Sequence, residues 1–183
     1  MGFYTRDELM AVGFRSIGED VLISTKASIY SPEQISLGSH VRVDDFCILS
    51  GRINLGNYIH VAAYSALYGG KEGIEVGDFS NISSRICIYA LSDDYSGETM
   101  TNPMVPEQYK NVTHQKVIIG KHCILGTAST ILPGVNISDG CAFGAYSFIN
   151  RSCEPWSIYA GIPCRKIRER SQALLRYEKE LVK

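Results

Sequence analysis

Large apolar side chains recur at every sixth position through Ile119, Leu125, Ile131, Ile137, Phe143 and Ile149. Four residues after each stands a small one: Cys123, Ser129, Val135, Cys141, Ser147 and Cys153. Earlier runs keep the same step with shifts of phase, through Ile17, Ile23 and Ile29, then Leu37 to Leu67, then Val76, Ile82 and Ile88. A step of six matches neither the 3.6 of a helix nor the 2 of a simple strand. It predicts a short strand, a corner, and another short strand. Three such units bring the chain back above its start, so coils of about 18 residues stack at roughly 4.8 Å into a three-sided prism. A ring of aliphatic side chains and a ring of small ones fill the axis. Cys47, Cys123, Cys141 and Cys153 fall in the small inward slot, where a free thiol acts as a compact apolar group.

The rhythm lapses at length once, over residues 91–116, a stretch of turn formers that predicts an arm leaving the prism towards a neighbouring copy. The ends differ too. Residues 1–16 read as a cap with a short helix, with Thr5 and Glu8 spaced as a capping box. Residues 17–164 form the solenoid, and residues 165–183 read as a helical tail with Ile167, Leu174, Leu175 and Leu181 as its apolar stripe. Such ends cover the open sheet edges of the stack.

At 183 residues and 45% hydrophobic content the chain is one globular domain, and its formal charge of −1 offers no general field for nucleic acid. No apolar run is long enough for a membrane span and no signal-like start is present, so the expected compartment is cytoplasmic.

The repeat, together with LGTASTILPGVNISDGCAFGA (125–145) and YAGIPCRKI (159–167), resembles the hexapeptide-repeat acyltransferases, most closely the sugar O-acetyltransferases of the galactoside and maltose type. The resemblance implies an all-β solenoid, a left-handed parallel β-helix with an extruded loop and a C-terminal helix. It further implies a homotrimer with active sites between subunits. The implied reaction moves an acetyl group from acetyl-CoA, with no metal, to a hydroxyl or amine of a sugar. The acceptor would be free, nucleotide-linked or lipid-linked, in the making of surface polysaccharide such as O-antigen or capsule. Coenzyme A contacts carry over to Thr127, Ala145, Asn150, Arg151, Arg165 and Arg168. The residues themselves agree for the cations, since Arg151, Arg165, Lys166, Arg168 and Arg170 are the densest basic cluster in the chain.

Acyl transfer needs a base or an amine-holding group. Four histidines are available. His40 and His122 fall at corners and are expected to face solvent, and His114 ends the arm as an exposed loop residue. His60 lies on a flat face and is the candidate base, with Tyr64, Tyr68 and Lys71 as candidate sugar contacts. Where the galactoside-type relatives begin the arm with a catalytic histidine, this chain has Asp93 and Asp94, which suits an amine or otherwise specialised acceptor. Two other readings compete: a γ-type carbonic anhydrase, which needs three histidines converging on zinc, and a non-catalytic scaffold.

Overall fold

The computed structural model describes residues 2–182. Strands of two or three residues stack in parallel on three faces. The first face runs through residues 16–17, 35–37, 53–55, 74–76, 117–119 and 136–137 to a bridge at Cys153, giving seven rungs. The second runs through 22–23, 42–43, 60–61, 81–82, 124–125, 142–143 and 157–161. The third runs through 28–30, 48–50, 66–68, 87–89, 130–131 and 148–149. Coils are numbered one to seven by their rung on the first face, and corners one, two and three close the first, second and third faces in turn.

The inward residues are those of the six-step pattern. Leu49, Leu67, Ile88, Ile131 and Ile149 line the third face from within, each at 0% exposure. The small inward serines keep their hydroxyls satisfied: Ser65 donates to Ser83 O at 2.9 Å, Ser80 to Gly120 O at 2.9 Å and Ser147 to Gly144 O at 2.7 Å. The cysteines carry no disulfide. Burial pushes the thiols of Cys47 and Cys141 up to about 11 and those of Cys123 and Cys153 up to about 12. Cys164 is buried as well, and only Cys87, on the outward side of the third face, is half-exposed. A thiol reagent should therefore titrate at most one fast sulfhydryl, Cys87, in the native protein and six after unfolding. Two or more fast thiols would mean the inward slot is open to solvent.

Corner one is built from left-handed residues that are mostly aromatic: His40 (φ 59°), Tyr58 (56°), Phe79 (61°) and His122 (58°). A side chain in that conformation costs about 1 kcal/mol. Stacking offsets it, with ring centroids 4.5 Å apart for His40 and Tyr58, 4.9 Å for Tyr58 and Phe79, and 5.2 Å for Phe79 and His122. Here one expectation fails. His122 does not face solvent but is 7% exposed, because helix Leu175–Leu181 folds over the corner and Glu178 meets its Nε2 at 3.1 Å.

The tail also departs from a simple helix. Cys164–Glu169 is a strand antiparallel to Ser157–Gly161, and the helix begins only at Leu175. At the other end, helix Arg6–Val12 is closed by the Thr5 and Glu8 capping box, with Thr5 N donating to Glu8 Oε2 at 2.7 Å. Among the described residues no helix is long and apolar enough to cross a membrane.

The arm leaves after Cys87–Tyr89 and returns at Val117, its root closed by an antiparallel pair of Leu91–Ser92 with Thr113–His114. His114 is thus no exposed loop residue. Its Nδ1 is buried against Gly70 and has no hydrogen-bond partner among the described residues.

Candidate active site

The fourth coil carries candidate residues at two of its corners. Asn81–Ile82 lies on the second face, Ser84 follows at corner two, Cys87–Tyr89 crosses the third face, and Asp93 and Asp94 start the arm at corner three. The third face separates the two corners within one protomer.

At corner two, Ser84 lies under Thr127 of coil five. Thr127 Oγ1 donates to Ser84 O at 2.7 Å, and the two hydroxyl oxygens are 2.9 Å apart. A hydroxyl has one proton, so with Thr127 committed to the carbonyl the 2.9 Å bond is one that Ser84 donates to Thr127 Oγ1, which fixes where the Ser84 hydroxyl points. Ala145 continues the same column in coil six, outside Gly126.

At corner three, Asp94 Oδ1 accepts from Ser96 N at 2.8 Å, and Oδ2 accepts from Thr99 N at 3.0 Å and Thr99 Oγ1 at 2.7 Å. These bonds, those of Ser96 foremost, hold its carboxyl down to about 2. Asp94 is consequently a fixed negative charge across the working pH range, not a proton acceptor, and Oδ1 keeps a lone pair for an N–H donor. Asp93 lines a cleft of about 670 Å³ with Tyr68, Tyr89, Leu91 and Tyr95. The rings of Tyr68 and Tyr89 stack at 5.1 Å, and burial pushes the Tyr89 hydroxyl up.

The other anticipated residues are spread more widely. Tyr64 is at corner two, 57% exposed and stacked on Phe46 at 5.0 Å, away from Tyr68 on the third face. Lys71 is exposed on the bulge at corner three. His60 lies on the second face with both ring nitrogens engaged, Nε2 2.9 Å from Asp44 Oδ2 and Nδ1 3.1 Å from Asn81 Oδ1. Asp44 is 7% exposed; burial alone would push its carboxyl up, but hydrogen bonds from His60 and Arg42 outweigh that and hold it below the usual range. No hydrogen bond joins His60 to Asp93 or Asp94 among the described residues.

The basic cluster divides in the same way. Arg170 donates to the carbonyls of His122 (2.6 Å), Gly140 (3.0 Å) and Cys141 (3.4 Å), which makes it a clamp on corner one. Lys166 is tied to Glu169 at 2.6 Å and Glu154 at 2.9 Å. Arg151 and Arg165 line a cleft of about 240 Å³ on the last coils, with Asn150 and Arg168 exposed nearby in sequence. Ser84 was not marked by the sequence, where it is one serine among many. Only its place beneath Thr127 distinguishes it.

No family model matches the chain. Among curated proteins, a dTDP-4-amino-4,6-dideoxy-D-glucose acyltransferase of Escherichia coli is 44% identical over 181 residues, covering 97% of this chain and 94% of its own. Among solved structures, the N-acyltransferase AntD of Bacillus cereus superposes with a TM-score of 0.97 at 51% identity, covering 99% of this chain and 97% of its own. That structure is an S84A variant with dTDP-4-amino-4,6-dideoxyglucose and coenzyme A; other AntD structures hold dTDP with 3-hydroxybutyryl-CoA, or carry a D94A change. A galactoside acetyltransferase with coenzyme A, 19% identical with a TM-score of 0.59 over 93% of this chain and 72% of its own, shares the fold alone. These likenesses set aside the carbonic anhydrase and scaffold readings: the chain is an enzyme and belongs to the hexapeptide-repeat sugar acyltransferases, whose fold is the left-handed parallel β-helix.

Proposed function

We propose that the chain is an N-acyltransferase that moves a short acyl group from acyl-CoA to the amine of a nucleotide-linked 4-amino-4,6-dideoxyhexose. The observation that carries this reading is the near end-to-end likeness to two enzymes of that description, together with a serine at 84 and an aspartate at 94 in this chain. The site chemistry supports it. An amine needs no strong base to attack a thioester, and a carboxylate held near 2 is suited to holding an amine rather than deprotonating a hydroxyl.

In the mechanism, Asp94 Oδ1 accepts a hydrogen bond from the acceptor amine and aims its lone pair at the thioester carbon. The C–N bond forms, the carbonyl oxygen becomes an oxyanion, and the Ser84 hydroxyl turns from Thr127 Oγ1 to donate to it. The C–S bond then breaks, and the proton shed by nitrogen ends on the sulfur of coenzyme A. Ser84 and Asp94 lie on opposite edges of the third face, so the site is completed by corner two of one copy meeting corner three of the next, in a homotrimer. Thr127 and Ala145 flank the pantetheine arm, with Asn150, Arg151, Arg165 and Arg168 towards the phosphates. Tyr68 and Asp93 line the sugar pocket, with Tyr64 and Lys71 on its margins. His60 acts as a positioning residue that joins Asp44 to Asn81. Surface-polysaccharide assembly is the setting for the product.

Thiol release from acetyl-CoA and 3-hydroxybutyryl-CoA should be measured with dTDP-4-amino-4,6-dideoxyglucose and with free galactosides and maltose. The aminosugar nucleotide should be preferred in kcat/KM by about a hundredfold or more. Equal or better use of a free hydroxyl sugar would overturn the reading, and His60→Gln should retain turnover within about tenfold.

A further inference from the structure

Corner two is stacked through its backbone. Tyr64 N donates to Asp45 O at 3.1 Å, Arg85 N to Ala63 O at 3.1 Å, Ala128 N to Ser84 O at 3.0 Å and Tyr146 N to Thr127 O at 2.8 Å. Each bond ties a residue to the coil above it. Asp45, Ala63, Ser84 and Thr127 therefore stand in one column, in coils two to five, at steps of about 4.8 Å. Ala63 alone of these four lacks a polar side chain, and it is half-buried directly beneath Ser84.

The side chains around that methyl are engaged elsewhere. Above it, the hydroxyls of Ser84 and Thr127 are joined at 2.9 Å. Below it, Asp45 Oδ1 accepts from Ser24 and Oδ2 meets Lys26 at 3.5 Å, both in coil one. Beside it, the Tyr64 ring stacks on Phe46 of the coil below at 5.0 Å. Over the two steps between Ser84 and Asp45, about 10 Å of corner, the column presents only a methyl group. The gap has an apolar wall and a carboxylate at its foot.

A thioester carbon holds sulfur, oxygen and acyl chain in one plane, and an attacking amine approaches across that plane. With the pantetheine above at Thr127 and Ala145, the oxygen on Ser84 and the amine arriving from corner three of the next copy, the acyl chain is left the downward course along corner two. A chain of roughly four carbons covers one step and comes to rest over the Ala63 methyl. A longer one runs on to the Asp45 carboxylate and strips water from it, which opposes binding. We infer that Ala63 sets the length of the transferred acyl group: its small side chain admits a short chain, and the charge of Asp45 turns away a long one. The inference rests on the acyl transfer and donor placement proposed above.

Rates of the full chain with dTDP-4-amino-4,6-dideoxyglucose and acetyl-, butyryl- or octanoyl-CoA test it, beside calorimetric affinities for the same thioesters and for free coenzyme A without acceptor. Each variant is checked for an unchanged melting temperature. Ala63→Leu should lower kcat/KM for butyryl-CoA relative to acetyl-CoA by about fiftyfold, and the smaller change Ala63→Val by about tenfold, with free coenzyme A bound as in the parent. Asp45→Asn should raise the use of octanoyl-CoA about tenfold. A butyryl-to-acetyl ratio that stays as in the parent in both Ala63 variants overturns the inference. So does an equal loss of free coenzyme A, which would put the pantetheine at that step. If the parent acylates no aminosugar nucleotide, the acceptor reading fails and the affinities decide alone: Ala63→Leu must still weaken butyryl-CoA about tenfold more than acetyl-CoA, or the inference fails with it.

Discussion

Replacing Asp94 by Ala should lower kcat/KM for the aminosugar acceptor by on the order of a hundredfold or more, with coenzyme A affinity little changed. Two losses coincide. The acceptor nitrogen loses the anionic oxygen that orients it, and Ser96 N, Thr99 N and Thr99 Oγ1 lose the acceptor that folds the start of the arm. Asp94→Asn separates them, because it can still accept from Ser96 but carries no charge. The pH profile offers a second reading. The Asp94 carboxyl is lowered from its ordinary 3.8 to about 2, so what it contributes is complete above about 4 and is lost only as pH falls towards 2. An acid limb of kcat/KM between pH 5 and 8 then belongs to protonation of the acceptor amine and should persist unchanged in Asp94→Asn. An asparagine variant within threefold of the parent, or one that abolishes that limb, would remove Asp94 from the chemistry.

Ile88→Ala should cost about 3 to 4 kcal/mol of unfolding free energy, seen as a lower denaturant midpoint. Ile88 is fully buried in coil four, between Leu67 below and Ile131 above, so the cavity is walled by neighbouring coils that cannot close on it without breaking their own rungs. In a stack whose stability is a sum over adjacent coils, a gap in the middle weakens two interfaces at once. Ile17, half-buried on the first rung, should cost only about 1 kcal/mol on the same change. Equal costs at the two positions would mean the solenoid does not unfold through its inter-coil contacts.

The hexapeptide rhythm made the interior legible, because an inward side chain is defined by its own phase and needs no knowledge of a distant partner. Ile119 to Ile149 and the small slots at Cys123, Cys141 and Cys153 all lie inside as their spacing required. The arm was legible as a lapse in the same rhythm. Outward residues were harder, because their neighbours come from other coils or from the tail. His122 reads as a surface corner until Glu178, 56 positions later, is folded against it. Arg170 reads as a free cation until the carbonyls of His122 and Gly140 are seen beneath it. Ser84 acquires meaning only from Thr127, 43 positions on, with the whole arm between them.

The seven rungs are joined in single file, and the lower and upper groups meet only through the fourth. Duplicating or deleting one complete turn below that junction would slide the first coil by a single step of about 4.8 Å and leave the upper coils untouched. The molecule is thus graduated like a measuring rod. Descendants can lengthen or shorten the column by copying or dropping one segment, with no residue of the fourth coil redrawn.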